Sequence, residues 1–192
     1  MKHEQAALDR NDSIIVRVAT DGDIGALAKL AERAFRDAYA SQNDAQDIED
    51  YVDKTLSPQK FRGDFEDSKN IFLVAVLRDE ERLAGYAKLR DGASHARSNT
   101  DRSIEVERLY VDSILIGKGV GATMMQACLD TARSLGKEEI WLGVWEHNQR
   151  AIDFYRRWEF SVVGEHRFTL GSDIQTDLIM SRTETRYGQD FG

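Results

Sequence analysis

Cysteine occurs once in the 192 residues, at Cys128. One sulfur cannot close a disulfide within the chain, and a cysteine-ligated metal is not expected either. Its neighbours Met124, Met125, Leu129 and Ala132 make it read as a small core residue. Proline is equally scarce, with Pro58 alone, and no apolar run approaches the roughly 18 residues that a membrane span requires. No membrane partner is therefore expected. The opening "MKHEQAALDRND" is too charged for the apolar stretch of a secretory leader. A cytoplasmic protein with a flexible arm over residues 1–12 is the expectation. Basic charge is also in deficit, because 26 Lys and Arg face 34 Asp and Glu, a formal net charge of −8. Nucleic acid, which needs a concentrated basic face, is argued against, while a cationic small molecule is accommodated.

What is present is an ordinary globular composition, 41% hydrophobic and 31% charged. It suits a single domain, placed at residues 13–182 with a polar tail over 183–192. The β-branched "IIVRV" at 14–18 reads as a strand. Thr20 and Asp23 then open a helix to about Tyr39, with Ile24, Leu27, Ala31, Phe35 and Ala38 on its buried face. Two short helices follow within 41–70, the second opened by Ser57 and Pro58. The carboxylates of that segment read as a solvated face or as an acidic wall for a cationic substrate. "IFLVAVL" and "LAGYAKL" form a hairpin around "RDEER", and the aperiodic 91–102 reads as a mobile loop. A strand at 104–111, a helix to Leu135, a strand at 139–144, a helix at 148–157 and strands near 160–168 and 174–181 complete the order. That order predicts an α/β fold: a mixed sheet with helices on both faces.

Residues 116–125, "IGKGVGATMM", place three glycines on alternate positions ahead of a helix. A Walker loop is excluded, because Lys118 is followed by Gly119 rather than Ser or Thr. Gly117, Gly119 and Ala122 spell the dinucleotide fingerprint GxGxxA. That fingerprint, however, starts directly after a first strand, and here Asp112 to Ile116 intervene at mid-chain. The remaining reading is a pyrophosphate cradle. Backbone N–H groups from Gly117 to Ala122 would lie at a helix N-terminus, open to an anion, with Lys118 adding a formal charge. A tight turn without any ligand accounts for one glycine better than for three.

"LYVDSILIGKGVGATMM", followed by "NQRAIDFYRRWEF", resembles the acyl-CoA motifs of the GNAT superfamily of N-acetyltransferases: a strand, the loop R/QxxGxG/A, a helix, a strand and NxxAxxxYxxxGF. More narrowly, "WLGVWEHNQRAIDFYRRWEFSVVGEHRFTLGSDIQTDLIM" is similar to the PaiA-like spermidine/spermine N-acetyltransferases. Two positions depart from the pattern: Ile116 replaces the polar residue that starts the loop, and Glu159 replaces the glycine before the final phenylalanine. The resemblance implies a mostly antiparallel sheet of six to seven strands and acetyl-CoA as cosubstrate with no metal. It further implies an acetyl group passed directly to a primary amine, a polyamine first, in a ternary complex. Alternatives are a protein N-terminus or lysine as acceptor, or a non-catalytic acyl-CoA-binding regulatory module. An exposed strand edge leaves room for a homodimer.

The resemblance also implies roles. Leu109, Tyr110 and Val111 would pair with the pantetheine arm by strand edge. Ile116, Gly117, Lys118, Gly119, Val120, Gly121 and Ala122 would take the pyrophosphate. Asn148 would bond the arm, or else cap the following helix. Tyr155, two turns further along the same face, would protonate the leaving thiolate. Glu107 matches the family's catalytic glutamate. Glu105 shares its strand face, and either residue could take the proton unless Lys88 or Arg108 ties it into a salt bridge. His147 and His166 read as ordinary loop and strand residues, and Trp141 and Trp145 as core. No nucleophile with an adjacent base stands out, which agrees with direct transfer.

Overall fold

The computed structural model describes residues 14–39, 43–78, 82–170 and 173–184. The expected N-terminal arm, the tip of the first hairpin turn and residues 185–192 of the tail lie outside them. Strand β1 (Ile14–Val18) leads through a 3-10 turn into α1 (Ile24–Tyr39), α2 (Ala45–Thr55) and α3 (Pro58–Glu66). Then follow β2 (Asn70–Leu77), β3 (Leu83–Asp91), β4 (Ser103–Val111), α4 (Val120–Ser134), β5 (Glu139–Trp145), α5 (Gln149–Arg157), β6 (Ser161–Leu170) and β7 (Asp173–Thr183). The seven strands form one sheet in the order β1-β2-β3-β4-β5-β7-β6. Every neighbouring pair is antiparallel except β4 and β5. The expected α/β sheet of six to seven strands, mostly antiparallel and flanked by helices, is therefore what the chain builds.

Helices cover both faces because the strands are apolar on both. On one face α4 and α5 bury Met124, Met125, Cys128, Leu129 and Ile152 against Ala87, Leu89, Ile104 and Ile140. On the other, α1, α2 and α3 bury Leu27, Leu30, Phe35, Ile48 and Phe61 against Phe72, Val74 and Tyr86. Each Leu, Ile, Val, Met or Phe side chain among them contributes about 1.5–3 kcal/mol on leaving water.

Local chemistry sets the element ends. Asp44 accepts from Gln46 N and Ser57 from Lys60 N, capping α2 and α3, and Pro58 occupies the first turn of α3. Asp23 reaches back to Thr20 N (2.7 Å), so the capping pair is as expected, but it closes a 3-10 turn over Asp21–Asp23 and the α-helix proper begins one turn later. Ala38, expected on the buried face of α1, is exposed. The helix there has run past the core, and Tyr39 packs on it instead.

The 92–102 segment is a loop as expected, yet it is tied down rather than loose. Trp141 Nε1 and Ser103 Oγ both donate to Ala93 O (2.9 and 2.8 Å), and Thr100 Oγ1 donates to Glu138 (2.9 Å). Its small polar residues serve as anchors. At the other end β7 reaches Thr183, and Glu184 is buried against Arg133 (2.8 Å), two residues beyond the expected domain edge.

Candidate active site

β4 and β5 pair over only three positions, the last being Glu105 with Trp141. Beyond that point β4 bonds only to β3 and β5 only to β7. A wedge therefore opens in the middle of the sheet, with the backbone of residues 106–111 unpaired along one edge. The cause is visible in β4 itself. Lys88 pairs with Arg108 and the next β3 residue, Leu89, pairs with Val106, so Glu107 is an extra residue, a bulge. A bulge sharpens strand twist and turns the strand away from its neighbour.

The bulge also reassigns faces. Ile104 and Val106 face the α4/α5 side, as do Leu109 and Val111 after it, whereas Tyr110 packs with the α1–α3 side. The reversal of parity lies at 107–108, so Glu107 and Arg108, though consecutive, share the α1–α3 face with Glu105. Glu107 lies within 3.5 Å of Arg108, and Lys88 Nζ donates to both of its oxygens at 2.9 Å. The same ammonium donates to Asp64 Oδ2 of α3 (2.9 Å). Glu105 has no hydrogen bond or ion pair among the described residues. Burial, and then the charge of Glu107, push its carboxyl up to about 7.

More groups line this face than the sequence reading named. Asp177 of β7 is in register with Trp145 and lies 4.0 Å from His166, and burial raises its carboxyl above the ordinary range. A Cβ on Gly143 would meet His166 and Asp177 side chains at 3.3 and 3.5 Å, which places both over the floor of β5. Tyr39 of α1 stacks near Trp145 (5.8 Å), and its phenol, raised to about 12 by burial and then by Asp177, borders the same space. Trp141 and Trp145 are buried, as read from sequence, but on this face. His147 is exposed, edge-on to Trp145 at 5.2 Å. Asp177 gave no more in sequence than its place directly before the short apolar run Leu178–Met180. The acidic 41–70 segment contributes otherwise: Asp44 caps α2, Glu49 pairs with Arg36 and Asp64 with lysines.

Across the wedge, on the α4/α5 side, Tyr155 is buried among Phe160, Phe154 and the core, 9% exposed. Its hydroxyl has no hydrogen-bond partner among the described residues. Burial, then Cys128 and Tyr39, push the phenol well up. Asn148 caps α5, its Oδ1 accepting from Ala151 N (3.1 Å). The cap uses the oxygen alone, and the amide nitrogen stays available to donate.

At the wide end of the wedge, Asp112 is buried and held by Arg82 (2.7 Å), and it fixes a 3-10 turn that delays the glycines. Gly117 and Gly119 adopt φ of 81° and 90°, values open to glycine and strained for other residues. Gly119 is the N-cap of α4. Within the loop Ile116 N bonds to Ser113 O and Lys118 N to Leu115 O. The N–H groups of Gly117, Gly119, Val120, Gly121 and Ala122 meet no protein acceptor among the described residues. Together they form an anion cradle backed by the α4 dipole. Lys118 and Ile116 are exposed beside it. These free donors, the unpaired edge of β4 and the wedge between β4 and β5 suit a long ligand with a pyrophosphate at one end. No cluster of three metal-ligating side chains occurs among the described residues.

Residues 26–160 match the model of the acetyltransferase (GNAT) family. An uncharacterized N-acetyltransferase of Mycobacterium tuberculosis is 34% identical over 163 residues, 85% of this chain and 97% of that protein. The spermine/spermidine N(1)-acetyltransferase of Bacillus subtilis is 26% identical over 159 residues, 81% and 93% of the two chains. Among solved structures, the PaiA N-acetyltransferase of Thermoplasma acidophilum in complex with coenzyme A superposes with a TM-score of 0.74 at 24% identity, covering 90% of this chain and 99% of that one.

Proposed function

The chain belongs to the GNAT family of acetyltransferases and is an acetyl-CoA-dependent N-acetyltransferase, and from that premise we propose that it acetylates a small cationic primary amine, a polyamine foremost. The observation that carries the reading is the wedge, which has a tyrosine hydroxyl without a partner on one side and carboxylates on the other.

In this reading the cosubstrate supplies an activated acetyl thioester. The N–H groups of Gly117 and Gly119 to Ala122 hold its pyrophosphate, with Lys118 adding charge. The free edge of Leu109, Tyr110 and Val111, together with the amide of Asn148, aligns its arm. Tyr155 gives a proton to the departing sulfur, for which an unpaired phenol is suited. Glu105 and Glu107 face the incoming amine, which arrives as an ammonium and must lose a proton before it can attack. Asp177, with Tyr39 and Trp145 beside it, offers a second seat for positive charge and methylene chain. The relative in Bacillus subtilis, named for spermine and spermidine, supports this acceptor class.

The test is a comparison of kcat/KM for spermidine, spermine, monoamines of equal length and peptides with free N-termini. Preference for the multiply charged amines by tenfold or more is expected, on the order of one additional ion pair in a partly buried site. Peptides as the best substrates would overturn the polyamine assignment.

A further inference from the structure

Gly143 lies in the middle of β5, between Trp141 and Trp145 on the same strand face. Both tryptophans are 8% exposed, whereas Gly143 is open to solvent. A glycine inside a central strand weakens it, so its presence there needs a physical reason. Conformation does not supply one, because the positive φ that Gly117 and Gly119 adopt is not found at Gly143, and other residues could hold the same backbone. Space does supply one. The Cβ of any other residue would stand 3.3 Å from His166 Cε1 and 3.5 Å from Asp177 Oδ2. Both side chains come from further across the sheet, His166 from β6 and Asp177 from β7, and both lean over the bare backbone of β5.

Asp177 is thereby carried to the border of the wedge. Its side chain is 19% exposed and makes no hydrogen bond among the described residues, and its ionic neighbour, His166, stands at 4.0 Å, beyond hydrogen-bond reach. The acids nearer β3 differ, because Lys88 holds both Glu107 and Asp64 and leaves neither for the charge of a ligand. Aromatic rings roof the passage. Tyr39 lies 5.8 Å from Trp145, and Tyr51 of α2 stacks on Phe35 at 4.3 Å. Burial raises the Tyr51 phenol, and the charges of Arg108, Glu107 and Asp177 also act on it, so it stands between β4 and β7.

We propose that Gly143 determines acceptor specificity: lacking a side chain, it lets Asp177 reach over β5, and the site thereby selects amines that carry a second positive charge three or four methylenes from the reacting nitrogen. The proposal rests on the acetyl-transfer reading with a cationic amine and adds the spacing of its charges. Sheet geometry sets that spacing. The reacting nitrogen enters between β4 and β5, and the Asp177 carboxylate overlies β5, about one strand spacing or roughly 5 Å away. An extended chain advances roughly 1.2 Å per bond, so four or five bonds cover the distance. A shorter diamine leaves its second ammonium short of the carboxylate. A longer one carries it past, toward Arg97, whose side chain lies over Gly164 of β6 and has no ionic partner among the described residues. The rings of Tyr39 and Trp145 favour a cation at the carboxylate between these limits.

The experiment measures kcat/KM for unbranched α,ω-diamines of two to eight methylenes and for monoamines of equal length, with wild type, Asp177→Asn and Gly143→Ala. In the wild type a maximum at three or four methylenes is expected, about tenfold above the matching monoamine, on the scale of one ion pair in a partly buried site. Asp177→Asn should bring that ratio down to about one. Gly143→Ala, which pushes His166 and Asp177 off β5, should lower it by about threefold, a partial loss of the same attraction. A damaged fold would lower diamine and monoamine rates together and leave the ratio standing. A flat profile across chain lengths with spermidine still acetylated, or a ratio unchanged in Asp177→Asn or in Gly143→Ala, would overturn the proposal while the acetyl-transfer reading stands. If no amine is acetylated, that reading fails instead, and calorimetry of putrescine against the protein saturated with coenzyme A still tests the seat. Binding about tenfold tighter than that of butylamine, with the difference lost in Asp177→Asn, supports the proposal, and equal affinities in the wild type overturn it.

Discussion

In the proposed mechanism two side chains on opposite sides of the wedge, Tyr155 and Glu105, carry the chemistry, and each is expected to fail in its own way. Tyr155→Phe removes one hydroxyl and leaves the ring packing against Phe160 and Phe154 intact. Turnover should fall by about a hundredfold while the dissociation constant for coenzyme A, measured by calorimetry, stays within a factor of two. Glu105 makes a prediction about stability. Its carboxyl is raised to about 7 in the folded chain, mainly by burial, so the stability it contributes is complete below the unfolded carboxylate range near 4.5 and is lost as pH rises through 7. Glu105→Gln should therefore stabilise the protein at pH 8, on the order of 1 kcal/mol after allowance for solvent, and should not do so at pH 4. Thermal unfolding at the two pH values reads this as a midpoint gain of a few degrees at pH 8 alone.

At the scale of elements, the loop into α4 is a backbone device, and its two left-handed glycines are what permit it. Gly119→Val places a β-branched side chain at φ near 90° on the N-cap, where such residues are outliers. Coenzyme A affinity should drop at least tenfold by calorimetry, whereas Lys118→Ala, which removes only an exposed charge, should change it by less than about threefold. The glycine spacing and the strand before it were legible because they are local: alternating glycines, a helical period after them, a tyrosine seven residues past an asparagine. The bulge at Glu107 was not. "IEVERLYV" reads as a regular strand, and only the β3 register shows that Glu107 and Arg108 share a face. Lys88 did give a signal, a charge in an apolar strand, but what it holds depends on α3, which lies more than twenty residues earlier in the chain. Asn148 shows the reverse case, because its capping role was open to sequence and is what the geometry displays.

For the whole molecule, the sheet with helices on both faces followed from the element order. The place of the candidate site did not, because the proposed site lies where β4 and β5 separate, and that separation is a tertiary event. The pieces come from distant stretches: a glycine loop at 117–122, a tyrosine from α5, carboxylates from β4 and β7 and aromatic rings from α1 and β5. Sequence spacing found those within one motif and missed Asp177 and Tyr39, which join only when β7 docks on β5 and α1 covers the face. The central claim is that these pieces pass an acetyl group to an amine. The most direct measurement mixes the purified protein with acetyl-CoA and spermidine and follows free thiol and acetylated amine together. Equal amounts of both, formed at a rate that depends on the amine and is cut about a hundredfold in Tyr155→Phe, are predicted. Coenzyme A binding without amine-dependent thiol release, for spermidine and for every other amine tried, would contradict it.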